Sequence, residues 1–247
     1  MFFVPLFLSN LNTKKIARKI EYIRTTGSTN KTIYDMWQNN EIHSGGALIT
    51  DQQTEGKGRR GNQWISSTNK SLTFSFILND EDEVLNNKIS LISGIAIIDG
   101  IKKIANLDCQ LKWPNDIMYK NKKLGGILIE KKEGVFIVGI GINVNDLYFE
   151  ESIQNKACSI YSITSRNTQR EPLLAFIFNS FENLLTKNMS EIVKKWESVC
   201  NHINTFVKFH HSNQIIEAEF AGLNKDGKAK IKINNTEKIF HSGIIEL

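Results

Sequence analysis

The sequence predicts an α+β fold, a mixed β-sheet with a small all-β domain after it, and three observations carry that prediction. Strand-like and helix-like apolar spacings alternate from about residue 20 to residue 203. The stretch S71-L-T-F-S-F-I77 alternates polar and apolar residues, as a half-buried strand does. From Thr205 onward the chain changes to short alternating strands split by the turns N224-K-D-G227 and N234-N235, the pattern of a small β-barrel.

The elements follow in order. Ile20–Arg24 reads as a short strand. Ser28 and Thr29 cap a helix to about Asn40, with Ile33, Met36 and Trp37 on one face. G45-G-A-L-I-T50 is a strand. Leu91–Asn106 carries Ile92, Ile95, Ala96, Ile98, Ile101 and Ile104 at the spacing of a buried helix. L111-K-W-P-N-D-I-M-Y119 reads as two short strands around a turn. L124-G-G-I-L-I-E130 and G134-V-F-I-V-G-I-G-I-N-V144 are strands joined by a tight turn at Lys132–Gly134. Two helices follow, at about Glu171–Lys187 and Ser190–Asn201. The expected units are a lead-in over 1–20, a catalytic-type domain over 21–203 and a β domain over 204–247.

Bulk properties narrow the function. A chain of 247 residues with 40% hydrophobic content can bury a full core, in one large domain or one large and one small. The formal net charge of +5 suits anionic substrates or an acidic protein partner. Lysines and arginines do not gather in one block, so no nucleic-acid partner is expected. Cys109, Cys158 and Cys200 lie far apart with no C-x-x-C, which argues against a zinc site or a disulfide framework and fits a reducing compartment. The apolar start M1-F-F-V-P-L-F-L8 precedes Lys14, Lys15, Arg18 and Lys19, the reverse of a secretory signal. Eight residues cannot span a bilayer. An organelle transit peptide stays open, since no acid precedes Glu21, but a structural lead-in is the expectation. No later segment approaches a membrane span, so a cytoplasmic protein without a membrane partner is expected.

The stretch E55-G-K-G-R-R-G-N-Q-W64 matches G-x-G-x-x-G, the dinucleotide fingerprint. That turn requires a helix to begin within it, because the helix N-terminus holds the pyrophosphate. Here the polar N62-Q-W-I-S-S-T-N-K-S71 leads into a strand, and the acidic run Asp80–Glu83 closes that strand in a turn. A P-loop fails too, since Asn62 follows Gly61. What remains is a loop that is mobile when empty and orders over an anionic ligand. Its glycines allow close backbone approach, and Lys57, Arg59 and Arg60 supply charge. A solvated basic surface loop is the plain alternative.

G27-S-T-N30, Q53-T-E-G56, K112-W-P-N-D116, K123-L-G-G-I-L-I-E130 and G139-I-G-I-N-V144 occur in that order. With the glycine loop, the series resembles the biotin protein ligases, from about Tyr22 to the C-terminus. The resemblance implies a class II synthetase-like catalytic domain, a mixed sheet with helices on one face, and a C-terminal SH3-like barrel. It is to a ligase-only form, without a DNA-binding domain. It implies two steps. Biotin carboxylate attacks the α-phosphate of ATP, giving biotinyl-5′-adenylate and pyrophosphate. A lysine of a biotin carboxyl carrier domain then attacks the mixed anhydride and releases AMP. ATP, biotin and Mg²⁺ are the implied small molecules, and a homodimer is possible in the family.

The resemblance also implies roles. Ser28, Thr29, Asn30 and Gln53 match the biotin site, where hydroxyl and amide groups suit a urea. Helix capping is the simpler role for Ser28 and Thr29, and the two can coexist. Arg59, with Lys57 and the Gly58 amide, matches the loop over the acyl phosphate. Lys112 matches the lysine that reaches the biotin carboxylate and bridging phosphate oxygens, so Arg59 and Lys112 are the catalytic candidates for both ligands. Asp116 is the candidate for Mg²⁺ or for assisting the incoming lysine. Gly125 and Gly126 let a strand pass close to biotin, against simple tight packing. Gly139, Gly141 and Asn143 match a strand end at the nucleotide, and Trp64 and Trp113 are candidate walls or core. N155-K-A-C-S-I160 resembles the family's segment after the adenylate loop. Gly27 departs from a usual aspartate, Glu55 from a small residue and Lys57 from arginine. The rival readings are a lipoate or octanoate ligase, and a biotin-binding regulator that is no enzyme.

Overall fold

A computed structural model describes residues 1–80, 83–211, 214–234 and 236–246, without the side chains of residues 83 and 84. The turns expected at Asp80–Glu83 and at N234-N235 therefore extend outside the described residues. Seven strands form the main sheet: β1 (Ile20–Thr26), β2 (Ala47–Gln53), β3 (Leu72–Asn79), β4 (Gln110–Lys112), β5 (Asp116–Tyr119), β6 (Lys122–Lys132) and β7 (Val135–Ile142). Their order is β1-β2-β3-β7-β6-β5-β4. Only β1 and β2 run parallel and the other pairs are antiparallel, so the sheet is mixed as expected.

Side-chain alternation gives the sheet two unlike faces. On one, Phe74 and Phe76 of β3 and Phe136 and Val138 of β7 enter the main core with helices α3 (Glu83–Ala105) and α5 (Arg170–Leu185). Phe178 of α5 meets Phe74 and Phe76 edge-on, at 5.4 Å in each case. Helices on one face thus describes most of the molecule. Helix α2 (Thr29–Gln38) is the exception: its Ile33 packs on the opposite face with Leu48, Ile77, Val135 and Ile137. It covers only that end, and the rest of the face stays open.

The apolar N-terminus forms helix α1 (Val4–Asn10), with Pro5 in its first turn, where a missing N–H costs little. Phe2, Phe7 and Leu11 enter the core. Behind it, the backbone N–H groups of Lys14, Lys15 and Ile16 donate to the Glu182 carboxylate at 2.6, 2.7 and 2.9 Å. Burial pushes that carboxyl up, but the three donors outweigh it and hold it below the ordinary range.

After the helices α4 (Ile160–Thr164), α5 and α6 (Met189–Ser198), the chain builds a five-stranded antiparallel unit. Strands β8 (Thr205–His211), β9 (Gln214–Leu223), β10 (Ala229–Ile233), β11 (Thr236–Phe240) and β12 (Ile244–Glu246) lie in the order β11-β10-β9-β8-β12, consistent with the expected SH3-like barrel. Its Phe209 and Phe220 rings lie 6.3 and 6.4 Å from Trp113, so the barrel packs directly on the K-W-P-N-D turn. No helix among the described residues is long and apolar enough to cross a membrane.

Candidate active site

The open face of the sheet carries the site, and strand register assembles it. Thr50, Thr73, Gly141, Gly126, Asp116 and Lys112 pair successively across β2, β3, β7, β6, β5 and β4. Directly paired residues share a face, so these six residues form one transverse row. The next row holds Leu48, Ser75, Gly139 and Leu128. Each row has glycine on β7, which lowers the floor where the large side chains of α2 and the glycine loop come down. A cavity of about 180 Å³ lies above it.

One end of the cavity is neutral and polar. The Thr29 backbone N–H and hydroxyl donate to Gln53 Oε1 at 2.7 and 3.0 Å. Ser75 Oγ lies 2.7 Å from both Thr29 Oγ1 and Asn30 Oδ1, and its single proton serves one of them at a time. Asn30 Nδ2 donates to Glu130 at 2.7 Å, which fixes the amide with its oxygen toward Ser75. A Cβ on Gly139 would stand 2.2 Å from Asn30 Oδ1, so the side chain needs glycine beneath it. Ser28 is the N-cap residue of α2, yet its side chain makes no capping bond. The residue lines the cavity.

The glycine loop forms the roof as a small hairpin. Lys57 bridges Gln63, the Gly58 N–H donates to Asn62, and Arg60 and Gly61 turn the tip with φ of 54° and 78°. The Arg59 guanidinium donates to Asn115 Oδ1 at 3.2 Å. Trp64 closes the far side: its ring would lie 2.2 Å from a Cβ on Gly141, so the indole rests on the strand itself. The polar stretch after the loop runs into β3, as a non-Rossmann loop requires.

The other end is cationic. Lys123 Nζ pairs with Asp116 Oδ1 at 2.6 Å and lies 3.3 Å from the position of a Cβ on Gly126. Lys112 is half-buried, and burial lowers its ammonium's pKa while Asp116 opposes the shift. Burial, then Arg60, lowers the Arg59 guanidinium likewise, without discharging it at neutral pH. Ile244 and Ile245 of β12 complete the wall. Among the described residues no three His, Cys, Asp or Glu side chains gather into a metal cage. Mg²⁺ brought with a nucleotide needs only one or two carboxylates besides phosphate oxygens, and Asp116 fits that limited part.

The structure gathers Ser28, Thr29, Asn30, Gln53, Lys57, Gly58, Arg59, Trp64, Lys112, Asp116, Gly126, Gly139 and Gly141 around this one cavity. Two expected residues stand apart. Gly125 points at the Gly141 carbonyl, where a Cβ would come within 2.8 Å, so strand packing requires it. Asn143 is buried and its amide donates to the Cys158 carbonyl at 3.0 Å, which holds the segment after β7. Three contributors escaped the sequence reading: Lys123, Ser75 and Glu130. The first signal was available, because K-L-G-G begins with that lysine. The departures at positions 27 and 55 adjoin each other: a Cβ on Gly27 would lie 3.6 Å from the Glu55 carboxylate.

Comparison with known proteins gives the family. The profile of the Biotin/lipoate A/B protein ligase family matches residues 22–145. The bifunctional ligase/repressor BirA of Bacillus subtilis is 28% identical over 249 residues, covering 96% of this chain and 76% of that protein. The biotin–[acetyl-CoA-carboxylase] ligase of Mycobacterium tuberculosis is 26% identical, covering 67% of this chain and 63% of that one. The biotin protein ligase of Aquifex aeolicus, solved in complex with biotin and ATP, superposes with a TM-score of 0.83 at 29% identity, covering 93% of this chain and 98% of that one. The chain belongs to the biotin/lipoate A/B protein ligase family, and within it to the biotin protein ligases.

Proposed function

We propose that this protein activates biotin with ATP to biotinyl-5′-adenylate and transfers the biotinyl group to a lysine of a biotin carboxyl carrier domain. The observation that carries the reading is the two-ended cavity. A urea-sized neutral pocket over β3 and a cationic end over β6 lie two strand spacings apart, about 10 Å. Biotin has a urea at one end and a carboxylate at the other, separated by a comparable span.

The chemistry follows from the residues. Thr29, Asn30, Ser75 and Gln53 hold the urea without charge. Lys123 and Lys112 meet the carboxylate and keep it beside the α-phosphate, so attack is a matter of positioning. Arg59 and the Gly58 N–H cover the phosphate, where negative charge grows as the carboxylate oxygen bonds to phosphorus and pyrophosphate leaves. Mg²⁺ bound with the triphosphate would be held at Asp116 and would offset phosphate charge. In the second step the incoming lysine amine attacks the acyl carbon, and AMP leaves with the phosphate oxygen. Asp116 is the carboxylate nearest the cationic end and the candidate to accept the amine's proton, with its ion pair to Lys123 positioning it. The net charge of +5 suits an acidic carrier.

The test is to incubate the protein with biotin, ATP and Mg²⁺ without carrier, with lipoate in a parallel reaction, and to analyse products by mass spectrometry. Biotinyl-5′-adenylate is the expected product. A lipoyl adenylate alone, or neither product from folded protein, would overturn the reading.

A further inference from the structure

Among the described residues, Trp64 Nε1, Ser66 Oγ, Thr73 Oγ1 and Asp146 Oδ2 are buried polar atoms without a hydrogen-bond partner. A buried hydroxyl or indole N–H with no partner destabilises the folded state, so native proteins seldom keep one without a use. Two of these four atoms belong to residues that line the active-site cavity, Trp64 and Thr73. They are also neighbours. Thr73 pairs with Gly141, and the Trp64 Nε1 atom lies 2.5 Å from the position of a Cβ on Gly141. Nothing beside Thr73 among the described residues satisfies it: the hydroxyl of Thr50, its neighbour on β2, donates to the Gln52 or the Arg24 carbonyl instead.

The position of the pair in the cavity is informative. Thr73 stands two residues from Ser75 on the same face of β3, one row away from the hydrogen-bonded polar pocket. On the other side of it, past Gly141 and Gly126, come Lys123 and Asp116. Thr73 and Trp64 therefore stand beside the middle of a ligand whose ends are taken by the polar pocket and the cations. Biotin carries heteroatoms in three places only: the urea, the carboxylate, and the sulfur of its second ring between them. The geometry points to the Thr73 hydroxyl, with the Trp64 indole N–H beside it, as the donor reserved for the ring sulfur of biotin, making Thr73 a specificity-determining residue. The inference rests on the biotin reading above.

The experiment compares biotin with desthiobiotin, which keeps the urea and the acid tail but lacks sulfur. Affinities are measured by calorimetry for the parent protein, Thr73→Val and Thr73→Ser. Thr73→Val should weaken biotin about threefold to tenfold and leave desthiobiotin unchanged. Thr73→Ser, which keeps a hydroxyl, should retain the parent's preference for biotin. The ligand-free melting temperature of Thr73→Val should equal or exceed that of the parent, because an unsatisfied hydroxyl has been removed. Equal loss for both ligands would assign the hydroxyl to the urea and overturn the proposal, as would no loss for either. A less stable ligand-free valine variant would show that the hydroxyl is partnered in the empty protein, with the same consequence. Failure of the parent protein to bind biotin at all would instead refute the functional reading on which the inference stands.

Discussion

Arg59 at the tip of the glycine loop donates to the side-chain oxygen of Asn115 across 3.2 Å, and the Asn115 amide donates in turn to the Ile127 carbonyl at 2.9 Å. The roof is thus tied to the K-W-P-N-D turn and through it to β6. Replacing Arg59 with alanine removes the tie and, with it, the phosphate contact proposed above. Dissociation of biotinyl-adenylate from Arg59→Ala should be roughly 10- to 100-fold faster than from the parent, and from Asn115→Ala by a smaller factor. Release of labelled adenylate into a chase of cold ligand gives both rates. Parent-like retention by Arg59→Ala would remove this residue from the roof's function.

Gly139 has a sharper prediction because the collision is specified. A methyl group there would occupy the space of Asn30 Oδ1, 2.2 Å away. Gly139→Ala should lower biotin affinity by at least about tenfold while costing about 1–3 kcal/mol of stability. Gly134 makes a control. Its φ is +80°, so alanine there is strained, but nothing lies within 4 Å of the added Cβ. Gly134→Ala should lose about 1 kcal/mol and bind biotin normally. Calorimetry and denaturant unfolding on both variants separate the two effects.

Arg170 and Asp51 form a buried ion pair at 2.8 Å. The same guanidinium donates to the Ser71 carbonyl at 3.0 Å, and the Tyr22 hydroxyl donates to Asp51. The pair joins α5 to the ends of β2 and β3, just before Gln53. Arg170→Ala leaves the buried Asp51 carboxylate with only the Tyr22 hydroxyl and, at 3.8 Å, the N-terminal ammonium, and should cost up to about 3–5 kcal/mol. Urea unfolding measures it. A loss below about 1 kcal/mol would show that Asp51 is satisfied without the arginine.

His202 sits in the joint between the two units, against Phe220 with ring centroids 4.5 Å apart. Burial, helped by Lys112, pushes its pKa down to about 4 from 6.5. The unfolded chain therefore binds a proton between pH 6.5 and pH 4 that the folded chain refuses. Stability from this group is complete above pH 6.5 and falls as pH drops, by about 3 kcal/mol at pH 4. Melting temperature followed over this range should fall less steeply for His202→Gln than for the parent. Parallel slopes would mean that His202 is not the group concerned.

Much of this was readable along the chain. Alternation in β3 and the apolar runs of β6 and β7 marked the sheet, and the conjunction of S-T-N, the glycine loop and K-W-P-N-D marked the family. What escaped depends on pairings between distant residues. Ser75 and Glu130 look like ordinary polar positions of half-buried strands until register sets them beside Asn30. Lys123 gains its role only when the β5–β6 hairpin folds it over Gly126. Asn143 was assigned to the nucleotide because of its motif, whereas its amide is turned to Cys158. Helix α1 has seven residues and one start signal, Pro5, too little periodicity to declare itself. No local pattern in β12 indicates that it walls a cavity built by residues a hundred positions earlier.

The two faces of β3 and β7 divide strictly by parity. In both strands odd-numbered residues belong to the ligand's side and even-numbered residues to the hydrophobic core. The site is therefore more sensitive to counting than to chemistry. Deleting a single residue from the turn at Lys132–Gly134 would exchange the roles of Gly139 and Ile140, and of Gly141 and Ile142, if β7 kept its other neighbours. A shift of one position would fill the groove with isoleucine and leave the core lined with glycine.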